Sequence, residues 1–522
     1  MTAISAAAPV RQRTGRALAR TPELSASTLI GAWVFVAMGV LTPSILVATT
    51  TTPVDRWWLG ALGISVLAAG RFAWLVAAGV RRLYEMTFWI YTYVFMGLAP
   101  VAQMREHTWA ATVNRTDWTL VGPTVVLILA GAVAYLAGVG MATLRGRRSP
   151  AGTAVRGTRG EGAGARTAII EDLSYWRVVA LACVAIVFNA VYLQRVGFNQ
   201  FGMTRIQAYE TAVAVWGEGP IGLLVRSSVG MTVLVAVVAL IRMRKILRAR
   251  GAVENRSRIR VVTVLLVPAL MLLADTLNPI SNARYLSGTA ILAVCAASGF
   301  FATANRFRVV AVLFVTALVV LFPMADAFRY STSGEFKAAN PLEALLSPDY
   351  DSFAQVDNAV LIVGREGIHF GHQFLGVLLW WFPRTAWPNK PMDTGILIAA
   401  ERGYPFTNLS APLWAETYLN AGFVGTIVIF CALGWWFYRR DTKLDREIRA
   451  IGMPSVLGCI LPFYLLILLR GSMLQAMSYL TILCLCALAV HRRPPRDPER
   501  PPSRQRLIPP SLRSVAPIGV RP

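Results

Sequence analysis

The sequence predicts an all-α fold: a polytopic integral membrane protein with about twelve transmembrane helices and one long exported loop containing interfacial helices. Three observations carry this prediction. Apolar residues make up 55% of the 522-residue chain and charged residues only 15%, where soluble domains carry about 25% charge. Apolar runs long enough to cross a bilayer, about 20 residues each, recur along the chain. The positive charge is also one-sided. With residue 1 in the cytoplasm, the cytoplasmic segments hold 35 of the 51 Lys+Arg and 11 of the 27 Asp+Glu, so the whole net charge of +24 lies on that face. This is the positive-inside pattern. It predicts the bacterial plasma (inner) membrane, crossed many times, with the N- and C-termini both cytoplasmic. It also excludes a nucleic-acid partner, because no segment is long and polar enough to form the basic soluble surface that role needs.

In chain order, residues 1–27 form a cytoplasmic basic N-terminus carrying Arg11, Arg13, Arg16 and Arg20. The run from Leu29 to Val47 is too long for the core of a cleaved signal peptide, so it reads as a retained signal-anchor. The polytopic membrane domain, residues 28–490, has predicted spans at 28–48, 57–80, 86–104, 118–143, 176–194, 220–241, 261–279, 285–303, 309–326, 415–437, 453–469 and 474–490. Arg71 interrupts the second span. With Arg81 and Arg82 just beyond, it is expected to snorkel to the cytoplasmic interface rather than face the bundle interior. Arg145 to Arg166 reads as a flexible linker. The basic run between Arg242 and Arg260 suits solvent or lipid headgroups. Residues 491–522 form a Pro- and charge-rich cytoplasmic tail with the composition of a disordered segment. All six cysteines fall inside predicted spans, which argues for packing rather than disulfides.

Residues 327–414 form an 88-residue exported loop, far longer than the other exported connections. A loop of this length normally has a structure and a role of its own. Phe370 to Phe382 is strongly apolar and too short to span, as an interfacial or re-entrant helix would be. Trp380, Trp381, Trp387 and Trp414 would then sit at headgroup depth, holding the loop on the outer leaflet. Pro383, Pro388 and Pro391 break the helix that follows and leave a rigid ribbon aiming Arg384 and Lys390.

The exported cations are the main chemical signal. Arg205, Arg284, Arg365, Arg384 and Lys390 lie on the exported side, with Arg226 and Arg470 near the outer ends of their spans. Guanidinium binds phosphate by two points, and a lipid diphosphate is the natural anion at that depth. The competing reading is pairing with Asp275, Asp326 or loop carboxylates. His369 and His372, three residues apart, would share a helix face with Arg365 and Glu366. They lack the third ligand of a metal site, so no metal is expected. Either histidine, or Glu366, has the chemistry of a general base, and interfacial hydrogen bonding is the alternative. Glu416 opens the tenth span, where a carboxylate is costly and by default functional or ion-paired.

The segments "NPISNARY" (278–285), "FPRTAWPNKP" (382–391) and "AETYLNAGFVG" (415–425) resemble the pattern of Wzy-type oligosaccharide repeat-unit polymerases, grouped with O-antigen polymerases and ligases. The long loop late in a chain of ten to fourteen spans is similar to that family's topology. The resemblance implies a glycosyltransferase acting on polyprenyl-diphosphate-linked oligosaccharides at the outer face of the membrane. It implies diphosphate-binding roles for Arg205, Arg284 and Arg384 and supporting roles for Lys390 and Glu416. It also places a periplasmic histidine in the chemistry of related ligases, for which His369 and His372 are the candidates here. No cofactor is expected, since the chain has no glycine-rich nucleotide loop. The partners implied are lipid-linked glycans and membrane lipids, with a flippase and a chain-length regulator left open. The alternatives are an O-antigen-ligase-like or other polyprenyl-linked glycan transferase, and a lipid-linked glycan transporter, although no internal repeat of the transporter kind is present.

Overall fold

A computed structural model describes residues 26–51, 55–110, 118–148, 173–198, 202–321 and 344–492. The basic N-terminus, the linker beyond Arg148, the start of the long loop (327–343) and the tail beyond Arg492 lie outside the described residues. The described chain is all-helical, with a single isolated bridge between Leu173 and His491.

The helices are α1 (Ala26–Thr49), α2 (Trp58–Ala78), α3 (83–105), α4 (Val121–Arg148), α5 (Tyr175–Val196), α6 (Arg205–Trp216), α7 (Pro220–Ser228), α8 (Met231–Ala249) and α9 (Arg256–Thr276). They continue as α10 (Arg284–Ser298), α11 (Ala304–Thr316), α12 (Ser352–Glu366), α13 (His372–Leu378), α14 (Thr394–Arg402), α15 (Leu413–Ile451), α16 (Val456–Arg470) and α17 (Met473–Val490). Among the described residues, eight helices are long and apolar enough to cross a membrane: α1, α2, α4, α5, the run Ile221–Ala249 through α7 and α8, α9, α15 and α17. These eight match eight of the twelve predicted spans. The other four are helical as well. Two are short, at 15 residues each for α10 and α16, and α11 reaches Leu321 through a π turn. The fourth, α3, passes through a π segment at Thr92–Leu98.

Helix α3 is the axis of the bundle. Every residue from Leu83 to Arg105 is buried, as expected only of a helix enclosed on all sides. Its aromatic face holds the neighbours by dispersion, the main packing force available in lipid. Phe88 stacks on Tyr135 of α4 at 3.8 Å between ring centroids, and Trp414 of α15 packs on Phe430 at 4.3 Å and on Phe88 at 5.8 Å. The Trp414 indole donates to the Ile128 carbonyl and the side chain is fully buried. Trp414 is therefore a core residue rather than the headgroup anchor the sequence suggested. The apolar context that makes a tryptophan an anchor also makes it core when a helix covers it.

Helices α4 and α15 cross very closely. A Cβ on Gly138 would fall 1.9 Å from the Cys431 carbonyl oxygen, and one on Gly434 would fall 2.0 Å from that of Tyr135. Only glycine permits this approach of two backbones.

Charge organises the end of the bundle opposite the long loop. Asp441 of α15 accepts from the Tyr84 and Glu85 N–H groups, both at 3.0 Å, and so satisfies donors that the start of α3 leaves free. Glu85 holds Arg71 at 2.6 Å and Arg82 at 3.0 Å, while Asp445 holds Arg81 at 2.8 Å. Arg71 thus faces an interior partner and lies over Trp74, which corrects the snorkelling expectation. A buried carboxylate on the next helix holds the guanidinium.

The described part of the long loop packs into the end of the bundle. Ser352 through Val360 of α12 are all buried, and Thr124 of α4 donates to Asp357 at 2.9 Å. The apolar run after Phe370 gives only the seven-residue α13. Trp381 beyond it is exposed and Trp380 and Trp387 are half-buried, so three of the four loop tryptophans keep access to the surface.

Candidate functional site

The site starts from a turn. In "NPISNARY", the Asn278 side chain accepts from the Ile280 and Ser281 N–H groups and donates to the Asp275 carbonyl. This Asx turn ends α9 and sets Arg284 at the first position of α10. Arg284 reaches Asp349 at 2.8 Å, in the 3₁₀ turn Pro348–Tyr350 that leads into α12. The Arg470 guanidinium, at the end of α16, donates to the Asp349 carbonyl at 2.8 Å and lies 3.9 Å from the Asp351 carboxylate. Asp351 also accepts from Ser410 N–H at 3.1 Å and Gln355 at 3.2 Å. Arg205 enters from the start of α6, which is fixed by a reciprocal Thr204–Gln207 capping box.

Together these segments enclose a cavity of about 130 Å³, lined by Arg205, Arg470, Asp349, Asp351, Ser410 and Ser472 among others. A cavity of this volume holds about four waters at their share of the liquid volume. Arg205 forms no ion pair among the described residues, whereas Arg284 and Arg470 share loop carboxylates. The pairing expected as the competing reading is therefore realised for those two, with Asp349 and Asp351 as partners.

Behind Ser472 lies a second acidic layer. The Glu416 carboxylate is fully buried and accepts from Met473 N–H at 3.1 Å. It forms no ion pair among the described residues. Asp393 caps α14 through Gly395 and Ile396 N–H. The Ser472 hydroxyl faces both carboxyls, yet Glu416 Oε2, Asp393 Oδ2 and Ser472 Oγ have no hydrogen-bond partner of normal geometry. Burial raises the Asp393 carboxyl above its ordinary value, against the lowering effect of Ser472 and the helix N–H groups. Burial also raises Asp351, against the pull of Arg470 and Ser410. Chemically, the cavity offers cations for an anion and, one hydroxyl away, carboxyls poised to exchange protons.

The remaining predicted residues do not line the cavity. Arg384 donates to the Lys390 and Pro391 carbonyls at 2.6 and 2.9 Å, and Lys390 to those of Trp380 and Phe382 at 2.7 and 2.9 Å. Both cations thus tie off their own proline-rich ribbon, whose carbonyls lack a helical partner. Desolvation, with Arg384 close by, lowers the Lys390 ammonium below its usual value. Arg365 is exposed on the last turn of α12. The two histidines do not share a helix face, because α12 ends at Glu366 and Gly367, Phe370 and Gly371 all take positive φ. His369 lies 3.8 Å from Glu366, and His372 sits edge-on to Trp387. Their segment is stitched to α15 at its kink, where Gly422 leaves helical geometry. There His369 N–H donates to the Leu419 carbonyl, Gly371 N–H to that of Asn420, and Phe374 N–H to the Asn420 side chain.

Sequence reasoning missed Asp349, Asp351, Asp393 and Ser472, and named Arg470 among the outer cations without giving it a site role. The one available signal was polar residues flanking helix ends ("SPDYDS" before α12, "RGS" between α16 and α17), too common to single out. No family model, no curated protein and no solved structure matches this chain.

Proposed function

We propose that this chain is a membrane glycosyltransferase that polymerises polyprenyl-diphosphate-linked oligosaccharide repeat units into a cell-surface polysaccharide at the outer face of the plasma membrane. In this reading all twelve apolar segments cross the bilayer, both termini are cytoplasmic, and the cavity opens outward. The supporting observation is the convergence of Arg205 and Arg470 on one cavity, with Arg284 paired to its lining residue Asp349 and the buried Glu416 behind it. The acceptor sugar hydroxyl attacks the anomeric carbon of the donor chain. The bond from that carbon to the diphosphate oxygen breaks, and the lipid diphosphate leaves with the electron pair. Arg205 and Arg470 bind the departing charge where it develops. Arg284 is held by Asp349 to complete the rim. The acceptor's proton passes to Glu416, relayed by Ser472. Asp351 and Asp349 balance the arginines before substrate arrives.

The test is the mass profile of lipid-diphosphate-linked glycans in cells lacking the protein. Accumulation of single repeat units, relieved by wild type but not by Arg205→Ala, is the expected result. Full-length lipid-linked polymer persisting without the protein would overturn the proposal in favour of transfer of finished glycan or of transport.

A further inference from the structure

The geometry points to a second ligand site, at the opposite end of α15 from the cavity, for the headgroup of an anionic phospholipid. Just past the glycine crossing of α4 and α15, a groove of about 420 Å³ opens between the two helices. Its walls carry Arg145 from α4 and Arg439 and Arg446 from α15, with Trp435, Tyr438 and Thr442 between them. Arg439 lies over Trp435 at 4.7 Å, and Arg446 donates to the Thr442 carbonyl at 3.3 Å. None of the three arginines forms an ion pair among the described residues. The acids on that stretch of α15 are engaged elsewhere: Asp441 by the start of α3, Asp445 by Arg81 and Arg449, and Glu447 by the Ser455 N–H. Three guanidiniums therefore face one groove without compensating charge, and phosphate is the anion their fork geometry fits.

Placement selects a lipid over a soluble phosphate. From the kink at Gly422, just past Glu416, to Arg439, α15 rises about 25 Å at 1.5 Å per residue, most of the thickness of the hydrocarbon core. The groove thus lies at headgroup depth on the leaflet opposite the cavity. Met141, Leu144 and Trp436 beside it are 49%, 56% and 40% exposed, a surface suited to acyl chains. Basic clefts between helix ends at that depth suit anionic headgroups. This site is independent of the proposed reaction.

The experiment is native mass spectrometry of the full-length protein in detergent with phosphatidylglycerol or phosphatidylcholine of matched chains, each with and without inorganic phosphate. Wild type should retain phosphatidylglycerol at least ~10-fold better than phosphatidylcholine. R145Q/R439Q/R446Q should lose that preference while keeping its melting temperature. R248Q/R256Q/R260Q, with the same charge removed at other exposed helix ends, should keep the preference. If the triple variant does not fold, R446Q alone carries the test through a reduced preference. An undiminished preference in the groove variant, or an equal loss in the control, would overturn the site. Full displacement of the lipid by millimolar phosphate would reassign it to a soluble anion and overturn the lipid.

Discussion

Arg470 gives the sharpest test, because its structural and chemical roles separate. Arg470→Gln removes the donor to the Asp349 carbonyl at 2.8 Å and the cation 3.9 Å from Asp351. Removing one partner of a buried ion pair costs about 3–5 kcal/mol. Asp351 retains its bonds from Ser410 and Gln355, each worth about 1 kcal/mol, so the expected loss is about 1–3 kcal/mol. Activity should fall by about 10²–10³-fold, the usual effect of removing one preorganised donor to developing charge. Adding Asp351→Asn neutralises the stranded carboxylate, and the double variant should regain most of the stability but none of the activity. The assays are thermal unfolding in detergent and turnover of lipid-linked repeat units in proteoliposomes. Wild-type turnover in Arg470→Gln, or recovery of both properties in the double variant, would refute the reasoning.

Three further outcomes follow from the same geometry. Glu416→Gln keeps an acceptor for Met473 N–H but cannot take a proton, so turnover should fall by about 10²–10⁴-fold with little change in melting temperature, read in the same two assays. Asp393 has a raised folded pKa, so the fold favours its protonated form, and wild-type stability declines as pH rises through that value. Asp393→Asn keeps the cap acceptor and does not ionise; it should melt above wild type at about pH 8 and level with it at about pH 4. Gly138→Ala places a methyl against the Cys431 backbone, where no side chain can give way. It should cost about 3 kcal/mol or more, measured by thermal unfolding.

The helices were largely legible in the sequence, since hydropathy and charge asymmetry reflect the bilayer directly. Eight predicted spans reappear as helices able to cross, with boundaries shifted by a few residues at most ends. The role of α3 was not legible. Its run of Tyr, Thr and Trp is only moderately apolar, and its enclosure depends on neighbours hundreds of residues away, such as Asp441 and Trp414. The candidate site was legible in part. Arg205 and Arg284 were identified because an arginine beyond an apolar run is conspicuous. Asp349, Asp351 and Ser472 matter only through a cavity that six separate stretches of chain assemble, and linear spacing cannot reveal that. The ribbon of Arg384 and Lys390 shows the converse: conspicuous cations and prolines whose donors satisfy their own backbone.

Arg205 is the cavity cation without an ion-pair partner among the described residues, and it bears most directly on the central claim. The decisive measurement is chain elongation by the purified protein in liposomes supplied only with single lipid-diphosphate-linked repeat units. The proposal predicts a ladder of longer lipid-linked glycans with one free lipid diphosphate released per addition, abolished by Arg205→Ala in a protein that melts at the wild-type temperature. Unchanged repeat units from folded wild-type protein, or a full ladder from Arg205→Ala, would contradict it.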